Sequence, residues 1–384
     1  MSVTKQSGDS TTSTTAPLLT AATWSRWLVV GTVVMSCGHM FGLPAITAPV
    51  ALVVAGLAFL AGIPHGAIDH LMAKRLSGGT PLLAVAAVYV GAAAAAWALL
   101  QWVGPIALVA AVLFSAVHFG LGELEVSRLL TAWRPRRIPA AAIVVAGSGA
   151  LVLPLARSGD QLLRVATAVS PELAVLISAA PVQTALLSTW CVAASVAVAA
   201  ALRSGHRTVA LDVVLIGALG MAAPPLVAFA VWFGCWHALR HTARLLTVEP
   251  GCAALLGDGR GRAATWRLVR LSAVPSLAAL TAVLALGWFT VASPNPTTMV
   301  AEVLRLLLAL TVPHMVVVWW LDSVPFRRVH GPGAQPAAAP SPSKFQRRLR
   351  PLPNPYLSIA TKRRSFERPR GVGELPRRDG PRLR

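Results

Sequence analysis

Apolar runs close in length to the thickness of a bilayer dominate this chain and fix its class before any single residue is considered. Ten can be marked, at about 24–43, 48–72, 81–102, 105–122, 138–155, 184–202, 208–222, 224–246, 268–291 and 298–321. A helix rises about 1.5 Å per residue, so roughly 20 residues cross a hydrocarbon core of about 30 Å. Inside lipid each backbone N–H and C=O must be satisfied within its own segment, which runs of this length can do only as helices. The sequence therefore predicts an all-α, polytopic transmembrane helix bundle. Charged residues make up 12% of the chain, about half the usual share of roughly 25% in a soluble domain. Pro224-Pro225 alone divides the seventh run from the eighth, so nine spans is the alternative count, although prolines suit the first turn of a new helix.

Loop charges favour ten. Lys74 and Arg75 follow the second run, and Arg128, Arg134, Arg136 and Arg137 follow the fourth. Arg203 and Arg207 follow the sixth, and Arg260, Arg262 and Arg267 the eighth. The intervening loops hold almost no Lys or Arg apart from Arg157 and Arg164. Under the positive-inside rule both termini are cytoplasmic. Residues 1–22 read as a disordered cytoplasmic lead, 23–322 as the transmembrane catalytic domain, and 323–384 as a disordered basic cytoplasmic tail. The formal net charge of +20 does not imply nucleic-acid binding. Beyond Leu321 lie fifteen Lys or Arg and four Asp or Glu in a Pro/Gly/Ser-rich stretch, so about half of the excess sits where it can meet lipid headgroups. Between the fifth and sixth runs, Asp160–Val169 and Leu173–Ala180 read as interfacial helices on the outer side. The four cysteines, Cys37, Cys191, Cys235 and Cys252, have no CxxC spacing and suggest neither a disulfide framework nor a thiolate zinc site.

Within these runs lie His65, His118, His237, His241 and His314. All fall late in even-numbered spans, which descend toward the cytoplasm under this topology. His65 precedes Lys74 by nine residues, His118 precedes Arg128 by ten, and His314 precedes Arg327 by thirteen. These intervals correspond to roughly 14–20 Å of helix, one common depth in the cytoplasmic half. A lone intramembrane histidine usually bridges two helices by a hydrogen bond; several at one depth read as a metal centre. His237 and His241, four apart, share a helix face. His70 is five from His65 and faces away from it, whereas Asp69 shares the His65 face and could orient an imidazole. Gly62 and Gly66 bracket His65 at GxxxG spacing, which lets a neighbour approach closely. Three or four neutral imidazoles without thiolate suit iron, copper or zinc. A histidine proton relay in a transporter, or a haem-binding electron carrier, are the alternatives of another class.

Four segments also resemble a known family. Gly62-Ile63-Pro64-His65-Gly66-Ala67-Ile68-Asp69-His70 is similar to the PHGALD segment of the Brp/Blh family of β-carotene 15,15'-dioxygenases. Ser115-Ala116-Val117-His118-Phe119-Gly120 resembles its HFG segment, Trp232 to His241 its WHxxxH segment, and Val312-Pro313-His314-Met315 its late PHM segment. Order and separation match over about 25–322. The resemblance implies a multi-pass enzyme of the cell membrane that uses non-haem Fe(2+) and O2 to split the central double bond of β-carotene or a related carotenoid into two retinals. It implies His65, His118, His237 and His241 as the iron-binding and catalytic residues. His70, Asp69, Glu123 and His314 are then expected in supporting positions, and Phe119, Trp232, Phe233 and Trp236 at the substrate pocket. Expected partners are the carotenoid, O2 and membrane lipid, with no nucleic acid; a microbial rhodopsin is the natural recipient of retinal. Another apolar polyene is the alternative substrate.

Overall fold

The computed structural model describes residues 10–42, 47–291 and 296–323, and these are helical with short connections. Seven helices are long and apolar enough to cross a membrane: Thr15–Cys37, Pro49–Leu76, Leu82–Trp102, Pro105–Thr131, Ala180–Arg203, Gly261–Ala285 and Ala301–Ser323. An eighth crossing results if Arg137–Gly147 and Gly149–Arg157, bent by 56° at Ser148, form one span. The chain is thus an all-α, multi-pass membrane protein.

Two expected spans are helical but differ in kind from the rest. Arg207–Ala222 has 16 residues, about 24 Å of helix, less than the hydrocarbon core. The other is an unbroken helical path over Pro225–Val231, Trp232–Ala238 and Leu239–Val248, with Arg240 and Arg244 in its last part. Its middle section is π-helical. The first helix starts at Ser10, ahead of the boundary expected near residue 22, because Leu18 and Ala21 pack against Val126 and Ala243. The expected basic tail lies, beyond Ser323, outside the described residues. The two segments expected at the interface are helical, as Asp160–Val169 and Pro171–Ser178, and Ser170 caps the second by accepting from Leu173 N. Arg305 of the last helix donates to the C-terminal carbonyls of Ala168 and Val169, as a cation at a helix C-terminus should.

The innermost packing surrounds Trp232 and Trp236, with Phe119, Ile216, Leu219, Val227 and Val231 against them. Leu83, Val88, Trp102, Phe114, Val274 and Trp288 are exposed, as side chains facing lipid would be. Backbone meets backbone at Gly234, where an added Cβ would fall 1.8 Å from the Ala58 carbonyl oxygen. The helix before His65 and the segment carrying His237 are held together at this contact.

Candidate metal centre

Each histidine reaches the interior through a local irregularity or a tight helix contact. The His65 span is an α-helix over Ala48–Gly62, a 3-10 turn over Ile63–Gly66, and a second helix over Asp69–Leu76. Pro64 cannot donate a backbone hydrogen bond, and the turn tightens there. His118 lies in the middle of Pro105–Thr131, and His314 follows Pro313 in Pro296–Ser323. His237 lies in the π-helical turn and His241 in the α-helix after it. Such a turn inserts one residue into the helix and rotates the residues beyond it, a device common at functional sites.

The five rings form one buried cluster. His65 lies 4.6 Å from His314, 5.7 Å from His237 and 5.9 Å from His241, between centroids. His118 lies 5.3 Å from His237 and 5.1 Å from His314, and His241 lies 5.5 Å from His314. His237 and His241 are nearly parallel at 6.1 Å, so they do share a face. Two imidazoles bound to one ion at about 2.1 Å have centroids about 5–6 Å apart. The Nε2 atoms of His118, His237, His241 and His314 are buried with no hydrogen-bond partner among the described residues. An unpaired buried polar atom costs about 1–3 kcal/mol, and a shared cation would satisfy all four. His65 Nδ1–H donates to Gly62 O, which leaves its Nε2 as the nitrogen with a free lone pair. Among the described residues no group of three or more His, Cys, Asp or Glu side chains stands in a geometry that could hold a metal ion. The five imidazoles lie close together without converging on a point, and it is their donor chemistry that fits a divalent transition metal.

The supporting residues sort differently from expectation. Asp69 does orient an imidazole, but that of His314, with Nδ1–H donating to Oδ2 at 2.7 Å. Tyr89 donates to the same oxygen at 3.1 Å. Gly62 and Gly66 do admit close neighbours, but these are the Phe233 ring and the His314 imidazole. His70 is half-buried and makes no ring contact with the cluster among the described residues. Glu123 accepts from Trp236 Nε1 at 2.9 Å and from Arg240 at 3.2 Å. Arg240, 1% exposed, also binds Asp212 at 3.1 Å and Ser25 at 2.8 Å and lies 3.5 Å over the Trp236 ring. Arg26 completes the network through Asp212 at 2.6 Å. Arg240, Asp212, Arg26 and Tyr89 were not singled out from sequence. The signal was present for the first three, since a charge inside an apolar run needs a buried partner.

Beside the cluster is an apolar cavity of about 70 Å³, lined by Phe59, Phe119, Phe229, Phe233, Leu308 and Thr311 among others. The Thr311 hydroxyl donates to Leu307 O, so it presents no free donor. Phe233 lies 5.2 Å from His65, and Phe119 lies 4.9 Å from His237. Phe119 and Phe233 thus meet both the cavity and the histidines. Trp232 and Trp236 do not line the cavity; they are fully buried, Trp232 stacked on His237 at 5.7 Å and Trp236 bonded to Glu123.

Comparison with known proteins gives two matches. The family model described as beta-carotene 15,15'-dioxygenase matches residues 55–322. The probable beta-carotene 15,15'-dioxygenase Blh of Halobacterium salinarum is 32% identical over 320 residues, 73% of this chain and 89% of that protein. No solved structure matches.

Proposed function

The chain belongs to the β-carotene 15,15'-dioxygenase family, and from that membership we infer that it cleaves the central double bond of β-carotene with O2, one oxygen atom passing into each retinal aldehyde. We further propose Fe(2+) as its metal, bound by His65, His118, His237 and His241. The observations that support this reading are the buried, unpartnered Nε2 atoms of His118, His237 and His241, and the His65 ring packed against them with its Nδ1 bonded to Gly62 O, beside an aromatic cavity. Iron bound there would supply the binding and activation of O2.

The protein's own groups do the rest. Phe59, Phe119, Phe229 and Phe233 offer ring faces and edges to a flat polyene, with Phe59–Phe233 at 5.7 Å and Phe229–Phe233 at 6.1 Å. The apolar lining keeps water from competing at the reacting carbons. The hydrogen bond from His65 to Gly62 O fixes which ring nitrogen carries the proton. The Glu123–Arg240 pair ties the His118 helix to the segment bearing His237 and His241.

Ten crossings with both termini cytoplasmic is the topology we propose. It is supported by the alternation of Lys and Arg among the loops and by the helical state of both added segments. The function is tested by expression in a β-carotene-producing bacterium. Retinal should appear as colour is lost, and His118→Ala or His241→Ala should abolish both activity and bound iron. His206→Ala, whose ring stacks on Trp133 away from the cluster, should keep both. Unchanged β-carotene in cells holding folded, iron-loaded protein would overturn the reading.

A further inference from the structure

His314 has the same unsatisfied chemistry as three of the four histidines assigned to iron, His118, His237 and His241. It is 4% exposed, its Nε2 has no partner among the described residues, and its ring lies 4.6–5.5 Å from His65, His118 and His241. Its other nitrogen is fixed, Nδ1–H donating to Asp69 Oδ2 at 2.7 Å, and Tyr89 donates to that same oxygen. A carboxylate that orients one imidazole nitrogen while the other stays free is the arrangement that presents histidine to a metal.

Charge gives an independent reason. Asp69 is 2% exposed, and His314 is its only ion-pair partner among the described residues. The other two buried carboxylates are matched, Glu123 by Arg240 and Glu249 by Arg75 and Arg267. A buried carboxylate without a cation is costly, and an ion held by neutral imidazoles alone lacks an anion. Each supplies what the other needs. Gly66 makes room for the pair, since a Cβ there would lie 3.2 Å from His314 Nδ1 and 3.4 Å from Asp69 Oδ2.

We propose that His314 is a metal-binding side chain of this centre, with Asp69 and Tyr89 as the positioning residues that orient it and balance the charge of the ion. The proposal rests on the iron-centre reading above. Its test is iron affinity rather than turnover: the full-length protein in detergent, loaded with Fe(2+), is titrated with a competing chelator, and nitric oxide provides an electron-spin-resonance signal from the bound iron. His314→Gln should weaken iron binding by more than tenfold and alter the nitrosyl spectrum. Asp69→Asn should cost about 10–100-fold in affinity, and Tyr89→Phe less, in the same direction. His237→Ala is the reference. If it loses iron while His314→Gln keeps wild-type affinity and spectrum, the inference is wrong and the four-histidine centre stands. If His237→Ala also keeps its iron, the centre itself is misassigned and the inference falls with it. Should His314→Gln not yield monodisperse protein, near-isosteric Asp69→Asn decides, and unchanged affinity and spectrum overturn the proposal.

Discussion

Arg240 shows how much a single side chain can organise in an apolar interior. It sits between His237 and His241 in sequence yet points away from them, to Ser25, Glu123 and Asp212. Removing it leaves Glu123 without its cation, while Asp212 keeps Arg26, and breaking such a buried pair costs about 3–5 kcal/mol. Arg240→Met should therefore lower the melting temperature in detergent, and Arg240→Lys should restore little, because an ammonium lacks the planar fork that reaches several acceptors. At this scale the sequence was informative about which histidines meet, since depth could be counted from flanking charges. It did not reveal that Asp69 serves His314 rather than His65. Those partners are 245 residues apart, and helix spacing describes only neighbours on one helix. Trp232 and Trp236 lie off the cavity for a related reason: aromatic identity suggests a pocket wall, while the direction of each ring depends on a turn that is not α-helical.

That turn is the element on which the site depends. Seven residues, Trp232–Ala238, are π-helical, so the phase of His237 and His241 relative to Phe229 is not that of a regular helix. Deleting Cys235 takes out the one extra residue and should return the segment to regular α-helix, removing the widened turn that directs the His237 ring. The expected product still inserts in the membrane but retains no iron, as metal analysis of the purified protein would show. Away from the centre, Glu249 caps Pro250–Gly257 by accepting from Cys252 N at 2.6 Å and binds Arg75 and Arg267, each at 3.1 Å. Burial alone would raise its carboxyl, but the hydrogen bonds from Arg267 and from the Cys252 and Gly251 backbone outweigh this and hold it at about 2, below the ordinary 4.5. The ionised form thus stabilises the fold fully above about 4.5, and that contribution fades as pH falls toward 2. Melting temperatures should drop through this acid window in the native protein, whereas Glu249→Gln should lie lower at neutral pH and change less on acidification.

For the whole molecule, the sequence carried the fold class and most of the helices, because a lipid environment makes apolar length the governing variable. It carried less about the two segments between 207 and 248, where a short helix and a charged one are buried by their neighbours instead of by lipid. Reporter fusions after residues 78, 132, 205 and 258 should all be cytoplasmic, and fusions after 104 and 223 external, if the chain crosses ten times. The histidine cluster also has a meaning for biogenesis. Its members are spread from residue 65 to residue 314, so the five rings are brought together only once the helix carrying His314 has entered the bundle. On the iron reading proposed above, retention of the ion would report that the helices bearing its ligands are all in place.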